Sequence, residues 1–323
     1  MDVRTFIDRH FHHYNSREVR RAAVAYEQHV QSGGKMFVTL AGAMSTARLG
    51  RILSRAIRQG LVHGISCTGA NLEEDAFQLL AGDEYEEIPD WRALRAEDEQ
   101  ALLDRGMNRV TDTCIPETVM RHMEKELIES WQAAAEAGES LRPAEHIFRV
   151  LDQPSVKEHF QNPEDSWLLA AKEMGIPVYT PGWEDSTTGN MFAAAVFRGA
   201  LPDHSPVVTG TKQMEHLMRW YLETVPQTNG LGIGFFQIGG GIAGDFAICA
   251  VPALIQDLEL DDTPLWGYFC QISDAVTSYG GYSGAVPNEK ITWGKLSVET
   301  PKYMIESDAT IVAPLIFAWL LGD

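Results

Sequence analysis

The sequence predicts an α/β fold with a doubly wound, mostly parallel sheet and flanking helices, and three observations carry that prediction. Short apolar runs that read as buried strands alternate with stretches of helical periodicity from residue 35 to the C-terminal end. Several of those runs end in small residues, as in "LVHGISCTGA" and "LGIGFFQI" followed by "GGG", where sheets of this kind carry their ligand-binding turns. No linker, internal repeat or low-complexity tract interrupts the alternation.

Taken in order, residues 1–34 read as an N-terminal helical segment, with "SREVRRAAVAYEQHV" stopping at Gly33-Gly34. The run "KMFVTLAG" (35–42) follows as a strand. In "STARLGRILSRAIRQG", Leu49, Ile52, Leu53 and Ile57 share one helical face and Gly60 supplies a stop. "LVHGISCTGA" is the next buried strand, which makes the first parallel unit. Residues 82–115 are charged and yield no element. Residues 116–138 form a helix bracketed by Pro116 and Gly138, and 165–175 another, capped by Asp165 or Ser166. The strand "IPVYT", the loop "PGWEDSTTGN" and the helix "TKQMEHLMRWYLET" come next. "LGIGFFQI" (231–238), "PLWGYFCQI" (264–272) and "KYMIES" are the remaining strands. The apolar run "ATIVAPLIFAWLL" (309–321) is too short to span a bilayer and reads as a buried C-terminal element.

A net charge of −19, from 45 acids against 26 bases, argues against a nucleic-acid binder, which needs a basic face. It is first of all the ordinary balance of many cytosolic proteins, and it also suits cationic ligands. Cys67, Cys114, Cys249 and Cys270 contain no CxxC pair, so neither zinc nor a redox motif is indicated and a reducing, cytoplasmic setting is expected. The N-terminus lacks the apolar stretch of a signal peptide. His10, His12 and His13 cluster without a metal-binding pattern, so no metal is expected.

Four stretches could carry chemistry. In "IGGGIAGD" (238–245), Gly239, Gly241 and Gly244 fit GxGxxG between a strand and a helix, a turn that lets backbone N–H groups approach a pyrophosphate. In "CTGANLEED" (67–75), Glu73, Glu74 and Asp75 either sit in the favourable first turn of a helix or accept hydrogen bonds from ribose hydroxyls. In "WEDSTTGN" (183–190), Asp185 is a ligand contact or a helix cap. In "NEKITWGK", which follows the glycine-rich "YGGYSGAVP" (279–287), Lys295 lies two residues after Trp293 and six after Glu289. A lysine nucleophile has to give up a proton it ordinarily holds to a pKa near 10.4, which burial beside apolar and aromatic surface favours. Trp293 supplies such a wall and a face for a substrate cation, and Glu289 can anchor an ammonium or move protons. The plainer alternative is a surface hairpin with a snorkelling lysine.

Side by side, these pieces resemble the deoxyhypusine synthase family. The likeness is most specific in "NEKITWGK" and extends through "CTGANLEED", "RGMNRV", "NPEDSWLLAAKEMGIPVYTPGWEDSTTGNM", "IGGGIAGD", "YSGAVPNE" and "SDATIVAPL", in the family's order from about residue 35 to the end. It implies that residues 35–323 are a single Rossmann-like NAD-binding domain and that the protein is a homotetramer with sites between subunits. The implied reaction oxidises spermidine with NAD, holds an aminobutyl group as an imine on the active-site lysine, and passes it to an acceptor amine. Lys295 matches that lysine, and Glu289 and Trp293 match the amine pocket. The NAD contacts match Thr68, Gly69, Glu74, Asp185, Gly239, Gly240, Gly241, Ala275, Asp308 and Ala309.

The amine-recognition positions differ from the family's pattern. Asn190 stands where an aspartate is usual, Asp245 for a histidine, Cys249 for an asparagine, Tyr282 for an aspartate, and Gly42-Ala43 for Ser-Asn. Moving charges that recognise ammonium groups changes which amine fits. The expectation is therefore a transferase using a polyamine or a related amine such as agmatine, with an acceptor other than the family's translation-factor lysine, as in homospermidine formation. The family's N-terminal plug segment has no clear match in residues 1–34. A non-catalytic NAD- or polyamine-binding protein on the same fold is the second reading. An ordinary NAD dehydrogenase is a third, and it lacks a catalytic His or Tyr arrangement.

Overall fold

A computed structural model describes residues 1–276 and 281–323. Tyr279 and Gly280, at the head of the glycine-rich stretch, lie outside that description. The strands, in chain order, are β1 (Lys35–Leu40), β2 (Gly64–Cys67), β3 (Glu86–Glu87), β4 (Met107–Val110), β5 (Thr113–Pro116), β6 (Val178–Tyr179), β7 (Ile233–Ile238), β8 (Tyr268–Ser273) and β9 (Lys302–Glu306). Six of them form one sheet in the order β6-β2-β1-β7-β8-β9, and every pairing is parallel. The chain winds outward from β1 through β2 to β6, returns to lay β7 against the other side of β1, and continues to β8 and β9. The reversal opens a crevice above the C-terminal ends of β1 and β7, the usual ligand position in a doubly wound sheet.

These strands are apolar runs because both faces of the sheet are covered. Met36, Val38 and Leu40 of β1, Phe236 and Ile238 of β7, and Tyr268, Cys270 and Ile272 of β8 face the larger core. That core also takes Ile7, Val19 and Tyr26 from the N-terminal helices Val3–His10 and Tyr14–Gln31, and Ile316 and Phe317 from the helix Ala309–Leu321. The alternate residues face a second core. There Phe37, Phe235 and Phe269 stand in register on three neighbouring strands and stack at 6.0 and 6.1 Å between ring centres. Trp266 meets Phe235 edge-on at 4.9 Å.

The stretch 82–115, silent in sequence, contains the helix Ala96–Asp104 and a small antiparallel sheet ordered β3-β5-β4. The β4–β5 hairpin turns on Thr111 and Asp112, with Thr111 at φ 57°. A β-branched residue in the left-handed region is uncommon, and the absence of an Asn-Gly or Asp-Gly pair removed the signal that reveals such turns. Among the described residues, no helix is long and apolar enough to cross a membrane, and all four cysteines are free.

The acidic run after β2 lies in the helix Gly69–Ala81, past its first turn, and all three acids are buried. The helix-dipole explanation therefore does not apply. Asp75 accepts from Ser166 Oγ at 2.6 Å, Leu168 N at 3.1 Å and Trp167 N at 3.4 Å, which secures the start of the helix Trp167–Glu173. Ser166 is that helix's cap, accepting from Leu169 N at 3.1 Å. Burial pushes the Asp75 carboxyl up to about 6 against the pull of these donors. Asp75→Ala strands a buried hydroxyl and two N–H groups, so it should cost about 2–4 kcal/mol in chemical denaturation; an unchanged midpoint would contradict the clamp.

Candidate active site

The glycine turn after β7 has the geometry its spacing suggests. Gly239 and Gly241 hold φ of 81° and 69°, conformations that glycine adopts without strain, and the helix Ile242–Ile248 begins directly after them. A Cβ on Gly244 would come within 2.6 Å of the Gln237 side chain, so the third glycine lets this helix sit close on β7. At Gly241 and Gly42 a Cβ would meet none of the described residues within 4 Å, which leaves room over the crevice.

The other expected cofactor positions gather along the same edge of the sheet. Thr68 and Gly69 follow β2, Gly240 lies in the glycine turn, Ala275 follows β8, and Asp308 and Ala309 follow β9. Local bonds fix several of them. Thr68 Oγ1 donates to Gly42 O at 2.7 Å, and Asn71 Nδ2 donates to the carbonyls of Leu40, Ala41 and Gly42, so the loop after β1 is held down by the helix after β2. Asp308 caps the C-terminal helix, accepting from Thr310 N at 2.7 Å. Asp185 caps nothing: Ser186 caps the helix Thr187–Phe197, and Asp185 is exposed after β6. That helix is clamped from below by Glu73, which accepts from Thr187 N at 3.0 Å and Thr188 N at 2.7 Å. Glu74 accepts a hydrogen bond from Thr46 Oγ1. Burial, with Glu73 adding to it, raises the Glu74 carboxyl to about 7. These residues fit a dinucleotide: a close-approach glycine turn, open crevice space and carboxylates along one strand-end edge.

The lysine segment folds around two reversals. The short helix Glu289–Thr292 turns Glu289 outward and Lys290 inward. Gly294, at φ 66°, then bends the chain back so that Lys295 also points inward. The Lys295 N–H donates to Lys290 O at 3.1 Å, and the Lys295 carbonyl accepts from Trp266 N at 3.2 Å. Lys295 is 6 % exposed, which excludes the snorkelling alternative. Its Nζ lies 5.1 Å from the centre of the Tyr282 ring and 5.9 Å from that of Trp293, whose side is 60 % exposed. The nearer wall is therefore the tyrosine, and the indole is presented at the mouth of a cavity of about 740 Å³ that also reaches Cys249, Glu289 and Lys290.

Lys290, which the sequence did not single out, is the more deeply buried of the two lysines at 2 % exposure. Its Nζ sits 4.8 Å from the ring centre of Phe269 and 4.9 Å from that of Tyr282, with no hydrogen-bond partner among the described residues. Burial, then the neighbouring Lys295, lowers its pKa to about 8. The signal available in sequence was the five-residue spacing across a glycine, which turns two lysines to one side. Asp245 on the helix Ile242–Ile248 faces both lysines; burial raises its carboxyl to about 6 while their charges oppose the rise. Asn190 is not brought to this cavity. It donates to Ser186 O at 2.7 Å and lines a separate recess of about 400 Å³ with Trp183 and His204.

The glycine turn and the lysine cavity meet at one dipeptide. Tyr282 walls both lysines, and Ser283 Oγ accepts from Gly241 N at 3.0 Å. Gln271, from β8, donates to Ser283 O, which ties this loop to the sheet.

The deoxyhypusine synthase family model matches residues 9–320. A deoxyhypusine synthase-like protein from Cyanothece sp. is 29 % identical over 335 aligned residues, covering 100 % of this chain and 80 % of the relative. Another from Nostoc punctiforme is 29 % identical over 334, with the same coverage of 100 % and 80 %. A crystal structure described as a deoxyhypusine synthase from Entamoeba histolytica aligns with a TM-score of 0.60 at 12 % identity, covering 100 % of this chain and 94 % of that one, a likeness of fold.

The raised Glu74 carboxyl sets a pH dependence. Its folded pKa lies above the ordinary value of 4.5, so the stability it contributes is full below that value and is lost as pH rises through about 7. Glu74→Gln should therefore be more stable than wild type at pH 8, by up to about 3 kcal/mol, with the gap closing near pH 5. Thermal melts at the two pH values check this; an equal difference at both would contradict it.

Proposed function

The chain belongs to the deoxyhypusine synthase family, a family of transferases, and on that premise we propose that it oxidises a polyamine or related amine with NAD. It then passes an aminobutyl or similar alkylamine group, through an imine on Lys295, to an amine acceptor other than the family's usual protein lysine. The observation that supports this most directly is the Tyr282–Ser283 step, where the wall of the buried lysine cavity continues into the hydrogen bond to the Gly241 N–H.

Thr68, Gly69, Gly239, Gly240, Gly241, Ala275, Asp308 and Ala309 would hold NAD along the strand ends, with Asp185 and Glu74 on the ribose side. When bound, NAD supplies the acceptor for the hydride leaving the carbon beside the donor's secondary nitrogen, and returns that hydride at the end. Lys295, as the free amine, bonds to the carbon so oxidised. The bond from that carbon to the departing amine breaks, the amine leaves with a proton, and Lys295 keeps the group as an imine. The acceptor amine repeats the exchange and frees Lys295, and reduction of the new imine leaves no net oxidation. Glu289 at the rim and Asp245 inside are placed to pair with ammonium groups or accept protons, and Trp293 offers its exposed face to a substrate cation.

We also propose the homotetramer with sites between subunits. Ile242, Val286 and Trp293 leave apolar surface at the working edge, and Asn190 and Tyr282 would meet one substrate only if a neighbouring copy supplied one of them. The free cysteines suit a cytoplasmic setting. The second reading, a non-catalytic NAD- or polyamine-binding protein, draws on the altered positions Asn190, Asp245, Cys249 and Tyr282; the buried Lys295 speaks against it.

Incubation with NAD and a panel of di- and polyamines, followed by borohydride reduction, should leave an alkylamine adduct on Lys295 by peptide mass spectrometry. Lys295→Ala should lose adduct and turnover while still binding NAD. Absence of any adduct across the panel, or turnover that survives the substitution, would sink the proposal.

A further inference from the structure

The glycines of the turn after β7 are glycine for different reasons. Gly239 and Gly241 hold positive φ, whereas Gly240 does not. What Gly240 makes room for is the protein's own Ser283, whose side chain a Cβ at that position would overlap. Seated there, the Ser283 hydroxyl accepts from Gly241 N at 3.0 Å. In a GxGxxG turn the second glycine is the one whose backbone approaches a pyrophosphate. In this chain that N–H already has an acceptor, supplied from within.

The seated serine also covers the lysines. Residues Tyr282–Gly284 form one turn of 3₁₀ helix, followed by a bond from Ala285 N to Tyr282 O at 3.0 Å, so Tyr282 and Ser283 are held as a unit. The Tyr282 ring centre lies 4.9 Å from Lys290 Nζ and 5.1 Å from Lys295 Nζ. Two bonds tie Ser283 down: Gln271 of β8 donates to its carbonyl, and Gly241 N donates to its hydroxyl. Against them, the Tyr282 hydroxyl is buried with no partner among the described residues, a cost borne as long as the turn stays seated. An N–H bonds a charged phosphate oxygen roughly twice as strongly as a neutral acceptor, so a pyrophosphate outcompetes the serine for Gly241. All of these contacts lie within one chain, and they stand whichever surfaces a neighbouring copy covers.

We propose that Ser283 is a built-in competitor of the cofactor. The pyrophosphate of NAD takes the Gly241 N–H from it, the Tyr282–Ser283 unit lifts, and Lys295 is uncovered for the donor amine only once the cofactor is in place. The inference rests on the cofactor reading of the glycine turn above and adds an order of binding, cofactor before amine. That order keeps the lysine from condensing with stray aldehydes while no hydride acceptor is present.

Calorimetric titration of the full-length protein with NAD, and with ADP, which carries two phosphates and no nicotinamide, reads the competition. Ser283→Ala should bind both about three- to tenfold more tightly than wild type, the worth of one neutral hydrogen bond. Losing a residue that held the cofactor would instead weaken binding. Gln271→Leu, which cuts the other tie, should shift both affinities the same way. Lys295 is followed separately, by labelling with butanal and cyanoborohydride and peptide mass spectrometry. Saturating ADP should raise its labelling in wild type by about the same three- to tenfold factor, because both readouts report the fraction of molecules with the unit lifted. In Ser283→Ala the labelling should be high without ADP and unchanged by it. NAD binding that is weakened or unmoved in either variant, or wild-type labelling of Lys295 that ADP leaves unchanged or lowers, would overturn the inference while leaving the cofactor reading in place. No binding of NAD by wild type would overturn the cofactor reading and this inference together.

Discussion

Phe37, Phe235 and Phe269 lie side by side across the middle of the sheet, and the burial of the lysine pair starts from the end of that row. Their stacking, at 6.0 and 6.1 Å, runs along the hydrogen-bonded register of β1, β7 and β8. A slip of one residue on any of these strands would turn its phenylalanine into the opposite core. Phe269, at the β8 end of the row, is the ring on which Lys290 rests. Apolar surface there withholds water from an amine, and the neighbouring Tyr282 extends the same surface over Lys295. The sheet's own packing thus makes the environment the lysines need.

Three consecutive acids on one helix divide three tasks among them. Glu73 holds the start of the helix Thr187–Phe197, Asp75 that of the helix Trp167–Glu173, and Glu74 takes the hydroxyl of Thr46 beside the crevice. A charged triplet is ordinarily solvated, so its burial on a helix covered on every side shows that the surrounding elements are organised around it. Ser45, next to Thr46, accepts from Trp167 Nε1 at 3.0 Å and donates to Asn71 O at 2.8 Å, which ties the loop after β1 to the acid-bearing helix and to the helix Trp167–Glu173.

The sheet was legible in the sequence because its strands are buried on both faces and so appear as unbroken apolar runs, and the glycine turn because close helix packing and positive φ demand glycine. The hairpin of β4 and β5 was not legible, since its turn is made by Thr111 and Asp112 rather than by the usual small pair. Lys295 drew notice beside its tryptophan and glycine, but those neighbours fit a surface hairpin as well, and the family resemblance is what singled it out. The spacing of Lys290 from Lys295 hinted at a shared side, but its burial comes from Phe269 of β8 and from Tyr282, which local sequence does not show. The roles of Glu73 and Asp75 were likewise hidden: local spacing favours a first-turn reading, and only tertiary contacts reveal what each carboxylate holds.

The sheet order has an evolutionary consequence. Most positions that would meet a ligand lie in loops beyond the carboxyl ends of the strands or in the first turns of the helices that follow, while the aromatic row lies below that edge. Exchanges in those loops leave the aromatic row of Phe37, Phe235 and Phe269 untouched. A lineage on this scaffold can therefore change what it recognises one loop at a time, without first having to relearn how to fold.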